Sequence, residues 1–312
     1  MKDAYLLKGL SNDSVRLVYD ENNIFVRKTA QNFTNSQRLK EQYNLIKNWK
    51  EVYIKVPKLF KSGINHKSKF YFDMEFINEP SLSHIFNYAS HDNNIRSRKA
   101  FLILASYFER QFDSQLLPNK HQILYRINEK LKLLVIFFNN LKNYKIDEKV
   151  FKVLNKYIEH FNSLDLSSSW DSCKNIQYSI HGDLTLSNVL MSRNDLYFID
   201  LNRHFLGNTI LSDVSKLLFD LDFCLSIKLE NSNLDVDISI LNYFSKIKKN
   251  IADITSININ YYSDIKDLLL IIEALRVLQY VFRDNTQLTE NLHSYIIDKI
   301  GIISKQNILC QL

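Results

Sequence analysis

The sequence predicts an α+β fold of two lobes, a small β-rich N-terminal lobe over residues 1–80 and a large, mainly helical C-terminal lobe over residues 81–312. Three observations predict it. Val15, Leu17 and Tyr19 alternate with polar neighbours, and Lys69 to Ile77 forms an aromatic-rich extended run, so the first quarter has the period of strands. Asn78-Glu79-Pro80-Ser81 then breaks that pattern. Beyond Pro80, apolar residues recur at helical spacing, interrupted by two short apolar runs near residues 180 and 198.

In chain order, residues 4–28 read as strand, turn and strand, with Asp20-Glu21-Asn22-Asn23 as the turn. The preceding loop, Gly9-Leu10-Ser11-Asn12-Asp13-Ser14, suits either a hairpin turn or backbone N–H groups closing over phosphates. In Phe25-Val26-Arg27-Lys28, alternation sets Val26 and Lys28 on one face and Phe25 and Arg27 on the other. An inward Lys28 can neutralise phosphate oxygens, and a one-residue slip hands that role to Arg27. Residues 36–50 form a predicted helix with Leu39, Tyr43, Leu45, Ile46 and Trp49 on its apolar side, where Glu41 also falls. Further helices are expected over 81–89, 96–116, 121–142 and 147–164, then over 214–225, 235–249, 262–283 and 290–308. Phe137-Phe138 and the other aromatics at helical spacing read as core.

Composition narrows the functional classes. Five Gly and three Pro leave no room for a glycine-rich phosphate loop or long linkers. A formal net charge of +6 without a dense Lys/Arg block argues against nucleic-acid binding. Cys173, Cys224 and Cys310 lie far apart with no CxxC pair, which fits a reducing compartment, and Met1 to Leu10 is too short and polar for a signal peptide. The most apolar run, Leu268 to Phe282, contains Glu273, Arg276 and Gln279 and falls short of a membrane span. The expectation is a cytoplasmic protein without stable membrane insertion.

The chemistry is concentrated in Tyr178-Ser179-Ile180-His181-Gly182-Asp183-Leu184-Thr185-Leu186-Ser187-Asn188-Val189-Leu190, followed by Leu196-Tyr197-Phe198-Ile199-Asp200-Leu201-Asn202. Asp183 lies five residues before Asn188, and Asp200 twelve beyond it. Two carboxylates and an amide so spaced can offer oxygen ligands to hard cations and leave one carboxylate to orient a hydroxyl. Gly182 permits an unusual backbone angle before Asp183, and His181 is expected to brace the loop rather than react.

His181-Gly182-Asp183 with Asn188, then Phe198-Ile199-Asp200 followed by Gly207 and Asp213, resembles the aminoglycoside phosphotransferase and choline kinase family of the protein-kinase-like fold. Gly182 stands where protein kinases carry Arg, and Asp200-Leu201-Asn202 replaces Asp-Phe-Gly. The resemblance implies ATP and Mg²⁺ as cofactors, Asp183 as the group that takes or orients the acceptor proton, and Asn188 and Asp200 as metal ligands. It implies a nucleotide loop at Ser11 and Asn12, phosphate contact by Lys28 steadied by Glu41, and a hinge meeting the base at Glu75 and Ile77. Residues 1–80 are then the nucleotide-binding lobe, and residues 81–312 carry the catalytic and metal-binding loops.

The expected activity is ATP-dependent phosphorylation of a hydroxyl on a small molecule, such as an amino-alcohol, a sugar, an aminoglycoside or a cell-envelope glycoconjugate precursor. Asn202, Arg203 and His204 are candidates to meet the acceptor, or are structural loop residues. The alternative is a catalytically silent kinase-like scaffold that binds nucleotide or a partner. No Ala-Pro-Glu segment follows Asp200, which disfavours a protein substrate.

Overall fold

The computed structural model describes residues 2–7, 13–20, 23–88, 91–114, 119–140, 148–164, 179–207, 209–230, 236–282 and 285–305. The expected loop residues Ser11 and Asn12 lie outside them. The chain divides into two compact units: Met1–Tyr107 with Gln177–Arg203, and Phe108–Ile176 with His204–Leu312.

The first unit is built on a five-stranded antiparallel sheet of order β1-β2-β3-β6-β5, from β1 (Lys2–Leu7), β2 (Ser14–Asp20), β3 (Asn23–Thr29), β5 (Leu59–Ile64) and β6 (Phe70–Glu75). β5 has no alternating pattern to betray it. It is an edge strand with Phe60 and Ile64 exposed, so neither face selects apolar residues at period two. The central pair β3 and β6 is in register, with Arg27 opposite Asp73 and Lys28 opposite Phe72. Helix α1 (Phe33–Lys47) covers the Lys28 face, capped by the Asn32 side chain accepting from the Asn35 amide. Tyr43 of α1 meets Phe70 and Phe72 at ring separations of 6.1 and 5.8 Å.

A second sheet, of order β4-β8-β7, joins β4 (Ile54–Lys55) in parallel to the hairpin of β7 (Val189–Met191) and β8 (Leu196–Phe198). Phe198 is fully buried at its centre, ringed by Trp49, Tyr107 and His181 at 5.7, 5.5 and 5.0 Å. The Ser179 hydroxyl accepts from the Lys50 and Glu51 amides, and its carbonyl accepts from the Tyr107 hydroxyl at 2.9 Å. Segments more than a hundred residues apart are thereby tied around the hairpin. Helix α2 (Leu82–Asn87) follows, and α3 (His91–Ser114) passes out of this unit.

The second unit is helical, with α4 (Lys120–Asn139), α5 (Glu148–Ser163), α6 (Ile210–Phe223), α7 (Leu225–Glu230), α8 (Ile238–Asn258), α9 (Tyr262–Val281) and α10 (Thr286–Lys305). The run expected to end at 225 is split, because Cys224 adopts a left-handed conformation, φ 59°, between α6 and α7. Among the described residues no helix is long and apolar enough to cross a membrane. Helix α9, rich in Leu and Ile, carries Glu273 fully buried. Arg276 Nη1 reaches both Glu273 oxygens, at 3.0 and 2.8 Å, and Lys216 approaches Oε2 at 3.4 Å. His204 Nε2 lies 2.5 Å from Oε1, while its Nδ1 accepts from the Leu206 amide at 3.2 Å. A carboxylate only accepts, so the ring carries its proton on Nε2. Burial pushes the His204 pKa down to about 4 despite the pull of Glu273, so the ring stays neutral at pH 7. His204 is therefore a buried structural residue of this unit and not an exposed acceptor contact.

A histidine whose folded pKa lies below its unfolded value, here about 4 against about 6.5, stabilises the fold fully above the unfolded value. That stability is lost as pH falls, because only the unfolded chain takes up the proton. Between about pH 7.5 and about pH 5 the unfolding free energy is expected to drop by roughly 2 kcal/mol more in the wild type than in His204→Gln. Urea unfolding at the two pH values measures the difference. Equal pH dependence in the two proteins would mean that His204 protonates as readily folded as unfolded.

Candidate active site

The β7–β8 hairpin brings Asn188, just before β7, beside Ile199 and Asp200, just after β8. The Ile199 amide donates to the Asn188 carbonyl at 3.0 Å and closes the open end. The loop bearing Asp183 is laid against the same end. The Asn202 amide donates to the His181 carbonyl at 2.8 Å, and His181 Nε2 lies 2.7 Å from the Ile199 carbonyl. A carbonyl only accepts, so Nε2 carries the proton and Nδ1 is left to accept from the Asp183 amide at 3.1 Å. His181 is fully buried, and its two ring nitrogens hold the Asp183 loop to the Asp200 loop. The expected bracing role thus has a defined geometry. Gly182 sits at φ 76°, which favours glycine, and its turn presents the half-buried Asp183.

Asn188 and Asp200 suit a hard cation. The Asn188 amide nitrogen donates to the Asp183 carbonyl at 2.9 Å, which orients the side chain and leaves Oδ1 without a donor among the described residues. One oxygen of Asp200 engages Lys28, and the other has no partner among the described residues; the side chain is 45% exposed. Mg²⁺ takes few protein oxygens and completes its shell from water and phosphate, which matches so sparse a set. Among the described residues no group of three or more His, Cys, Asp or Glu forms a self-sufficient metal cage. Asp200 is also non-glycine in the left-handed region, φ 60°, at a cost of roughly 1–2 kcal/mol. The Ile199 and Asn202 backbone bonds and the Lys28 ion pair hold it there.

The choice between Arg27 and Lys28 is made by the sheet. Arg27 forms a two-pronged pair with the cross-strand Asp73, at 2.6 and 2.7 Å, and that hydrogen bonding raises its pKa. Lys28 points the other way, is 5% exposed, and meets Asp200 and the Gln42 carbonyl oxygen, the latter at 3.2 Å. Glu41 is not the partner of Lys28. Successive helical residues differ by about 100° around the axis, and the buried stripe of α1 runs through Ser36, Leu39, Gln42 and Ile46. Gln42 therefore faces inward, bridging Lys28 to the Leu201 carbonyl, where its amide donates at 2.7 Å. Glu41 turns to the loop after Asp200 and lies 3.5 Å from Arg203 in a mostly exposed pair. The stripe 39, 42, 46 was visible in the sequence; a lone Gln within it carried no charge to draw notice.

At the end of β6, the Glu75 amide donates to the Lys58 carbonyl at 2.8 Å and its carboxylate accepts from the Lys58 amide at 3.1 Å. Glu75 is thus occupied in tying β6 to the chain before β5. Half-buried Ile77 has neither amide nor carbonyl bonded among the described residues.

No family model and no curated protein matches the sequence. The structure is similar to solved ones. An apo thermostable mutant of aminoglycoside phosphotransferase APH(4)-Ia superposes with a TM-score of 0.61 at 10% identity, covering 96% of this chain and 94% of that one. The fold is kinase-like. The same phosphotransferase in ternary complex with ADP and hygromycin B gives 0.58 at 8% identity, covering 96% and 94%. Choline kinase from Cryptosporidium parvum Iowa II gives 0.56 at 13% identity, covering 98% and 91%. At such identities the likeness is one of fold, and the kinase-like fold of this chain rests on architecture rather than residue matching.

His181→Ala would strand the Ile199 carbonyl and the Asp183 amide in a closed environment. The expected cost is about 2–4 kcal/mol of unfolding free energy, read from urea denaturation. An unchanged midpoint would mean the two loops hold together without the ring.

Proposed function

We propose that this chain is an ATP- and Mg²⁺-dependent kinase that phosphorylates a hydroxyl group of a small molecule. The observation carrying the reading is the convergence of Asp183, Asn188, Asp200 and Lys28 through one set of hydrogen bonds around the β7–β8 hairpin. Relatives in fold that act on small molecules, among them the phosphotransferase seen with ADP and hygromycin B and the choline kinase, support it. Residues 1–80 are assigned the nucleotide, with Ser11 and Asn12 over the phosphates, Lys28 against them, and the segment from Glu75 to Ile77 beside the base. Residues 81–312 are assigned the catalytic and metal loops and the acceptor. Buried Cys224, whose thiol pKa burial raises to about 11, is unreactive and fits the reducing cytoplasm where ATP is abundant.

In this reading the Asp183 carboxylate accepts a hydrogen bond from the acceptor hydroxyl and takes its proton as the oxygen bonds to the γ-phosphorus. The bond from that phosphorus to the β,γ-bridging oxygen breaks, and ADP leaves. A carboxylate of ordinary basicity suffices, because the hydroxyl becomes acidic only as the new bond forms. Asn188 and Asp200 are the residues that would hold Mg²⁺, which when bound would supply positive charge to the phosphate oxygens. Lys28 adds a cation whose direction Gln42 fixes, so no reorganisation is needed during transfer.

With Mg²⁺-ATP and a panel of amino-alcohols, sugars and aminoglycosides, ADP release dependent on one acceptor class is expected. Asp183→Ala should lower kcat by about 10²–10⁴-fold while leaving nucleotide affinity nearly unchanged. Asp200→Ala should instead abolish the Mg²⁺ dependence of nucleotide binding in calorimetry. Full activity in Asp183→Ala would end the assignment, and Mg²⁺-ATP binding without turnover on any acceptor would favour the silent scaffold.

A further inference from the structure

One corner of the first unit carries apolar side chains and positive charge that the kinase reading does not use. Phe33, the first residue of α1, is 85% exposed, and Ile64, the last of β5, is 65% exposed. Phe70 brings the two together. Its carbonyl accepts from the Ala30 amide at 3.0 Å, and its amide donates to the Ser36 hydroxyl of α1 at 3.2 Å. Across the sheet it stands opposite Ile64. On α1, Ser36 lies one helical turn beyond Phe33, and Lys40 one turn beyond Ser36, so the three share a face. The exposed Lys40 ammonium lies 5.8 Å from the centroid of the Phe70 ring.

The turn from Ile64 into β6 is built by Asn65. Its amide donates to the Lys69 carbonyl at 2.9 Å, and its carbonyl accepts from the Ser68 amide at 2.9 Å. Its side-chain oxygen accepts from the Lys67 and Lys69 amides at 2.9 and 3.0 Å. The turn thus presents exposed Lys67 beside Ile64 in a fixed backbone. The charge here has one sign. Residues 30–40 and 52–69 contain no Asp or Glu, and Lys40, Lys67 and Lys69 have no ion pair among the described residues.

Lysines on a sheet edge deter strand pairing, but that purpose gains nothing from an exposed Phe and Ile. A protein interface packs a continuous apolar core from which Lys is depleted. At this corner the apolar side chains stand on separate elements, each with a lysine near it. The boundary layer of an anionic bilayer takes that pattern, because apolar side chains enter among the acyl chains while ammonium groups meet the lipid phosphates.

We infer that Phe33, Ile64, Lys40 and Lys67 form a docking surface for an anionic lipid bilayer. The contact is peripheral, made by side chains of a sheet corner and a helix start. It lies wholly within the first unit and does not depend on the kinase reading.

Co-sedimentation of the full chain with vesicles tests the inference, using phosphatidylcholine alone and phosphatidylcholine mixed with phosphatidylglycerol. The wild type should bind the mixed vesicles, fail to bind the neutral ones, and release as sodium chloride is raised. Lys40→Gln and Lys67→Gln should each weaken binding roughly fivefold. Phe33→Ser and Ile64→Ser should each weaken it roughly tenfold. All four side chains are exposed, so the variants should melt near the wild-type Tm, which separates lost docking from lost folding. Ile257→Ser, which removes an 82% exposed apolar side chain from α8 in the other unit, should bind like the wild type. Equal binding to neutral vesicles, or none to the mixed ones, overturns the inference. So does binding that survives Phe33→Ser and Ile64→Ser, which would be adsorption by charge alone. Binding to soluble polyglutamate as tight as to the mixed vesicles would assign the corner to an acidic protein and likewise overturn it.

Discussion

The arrangement of the candidate site depends on one interaction, the pairing of Lys28 with Asp200. Lys28 is buried, so its ammonium has given up most of its water and must be met by charge or by hydrogen bonds. Asp200 supplies the charge and Gln42 a carbonyl oxygen. To do so, Asp200 holds a left-handed backbone that its residue type disfavours. The pair joins residues 172 apart in sequence, so the central strand of one sheet and the end of the β7–β8 hairpin are fixed together. A cation and a carboxylate with one uncommitted oxygen are set side by side by the fold itself, the preorganisation that the proposed phosphoryl transfer would need more than covalent chemistry.

The same local device appears twice along the chain. His181 and His204 each accept, through Nδ1, the amide two residues ahead, and each presents Nε2–H to an oxygen distant in sequence. In the first case the oxygen is the Ile199 carbonyl and the result is a loop clamp. In the second it is the Glu273 carboxylate, and the result anchors the segment after Arg203 to α9. A buried imidazole can satisfy one donor and one acceptor at once, which suits it to loops whose backbone groups lack strand partners. Neither histidine is free to act as a general base while it serves this purpose.

Much of the fold was legible because its elements are amphipathic. Alternation exposed β2 and β3, aromatic richness exposed β6, and helical periodicity exposed α1 and most of the later helices. β5 escaped notice because an edge strand with exposed apolar residues has no burial contrast. The break between α6 and α7 escaped because it turns on a left-handed cysteine rather than a glycine or proline. Within the candidate site, the spacing of Asp183, Asn188 and Asp200 was legible, and the roles proposed for them came from the family resemblance. The partner of Lys28 was not, since Glu41 and Gln42 are neighbours in sequence and differ in direction by a fraction of a helical turn.

The sequence by itself determined which residue types are present at chemical spacing: two carboxylates and an amide, a glycine before the first Asp, and two adjacent cations on a strand. These are local properties, set by side-chain chemistry and by the periods of strand and helix. Tertiary structure alone decided their direction. Register with β6 sent Arg27 to Asp73 and left Lys28 for Asp200, and the phase of α1 set Gln42 inward and Glu41 outward. Direction is a long-range property, because it depends on which distant surface each face is buried against.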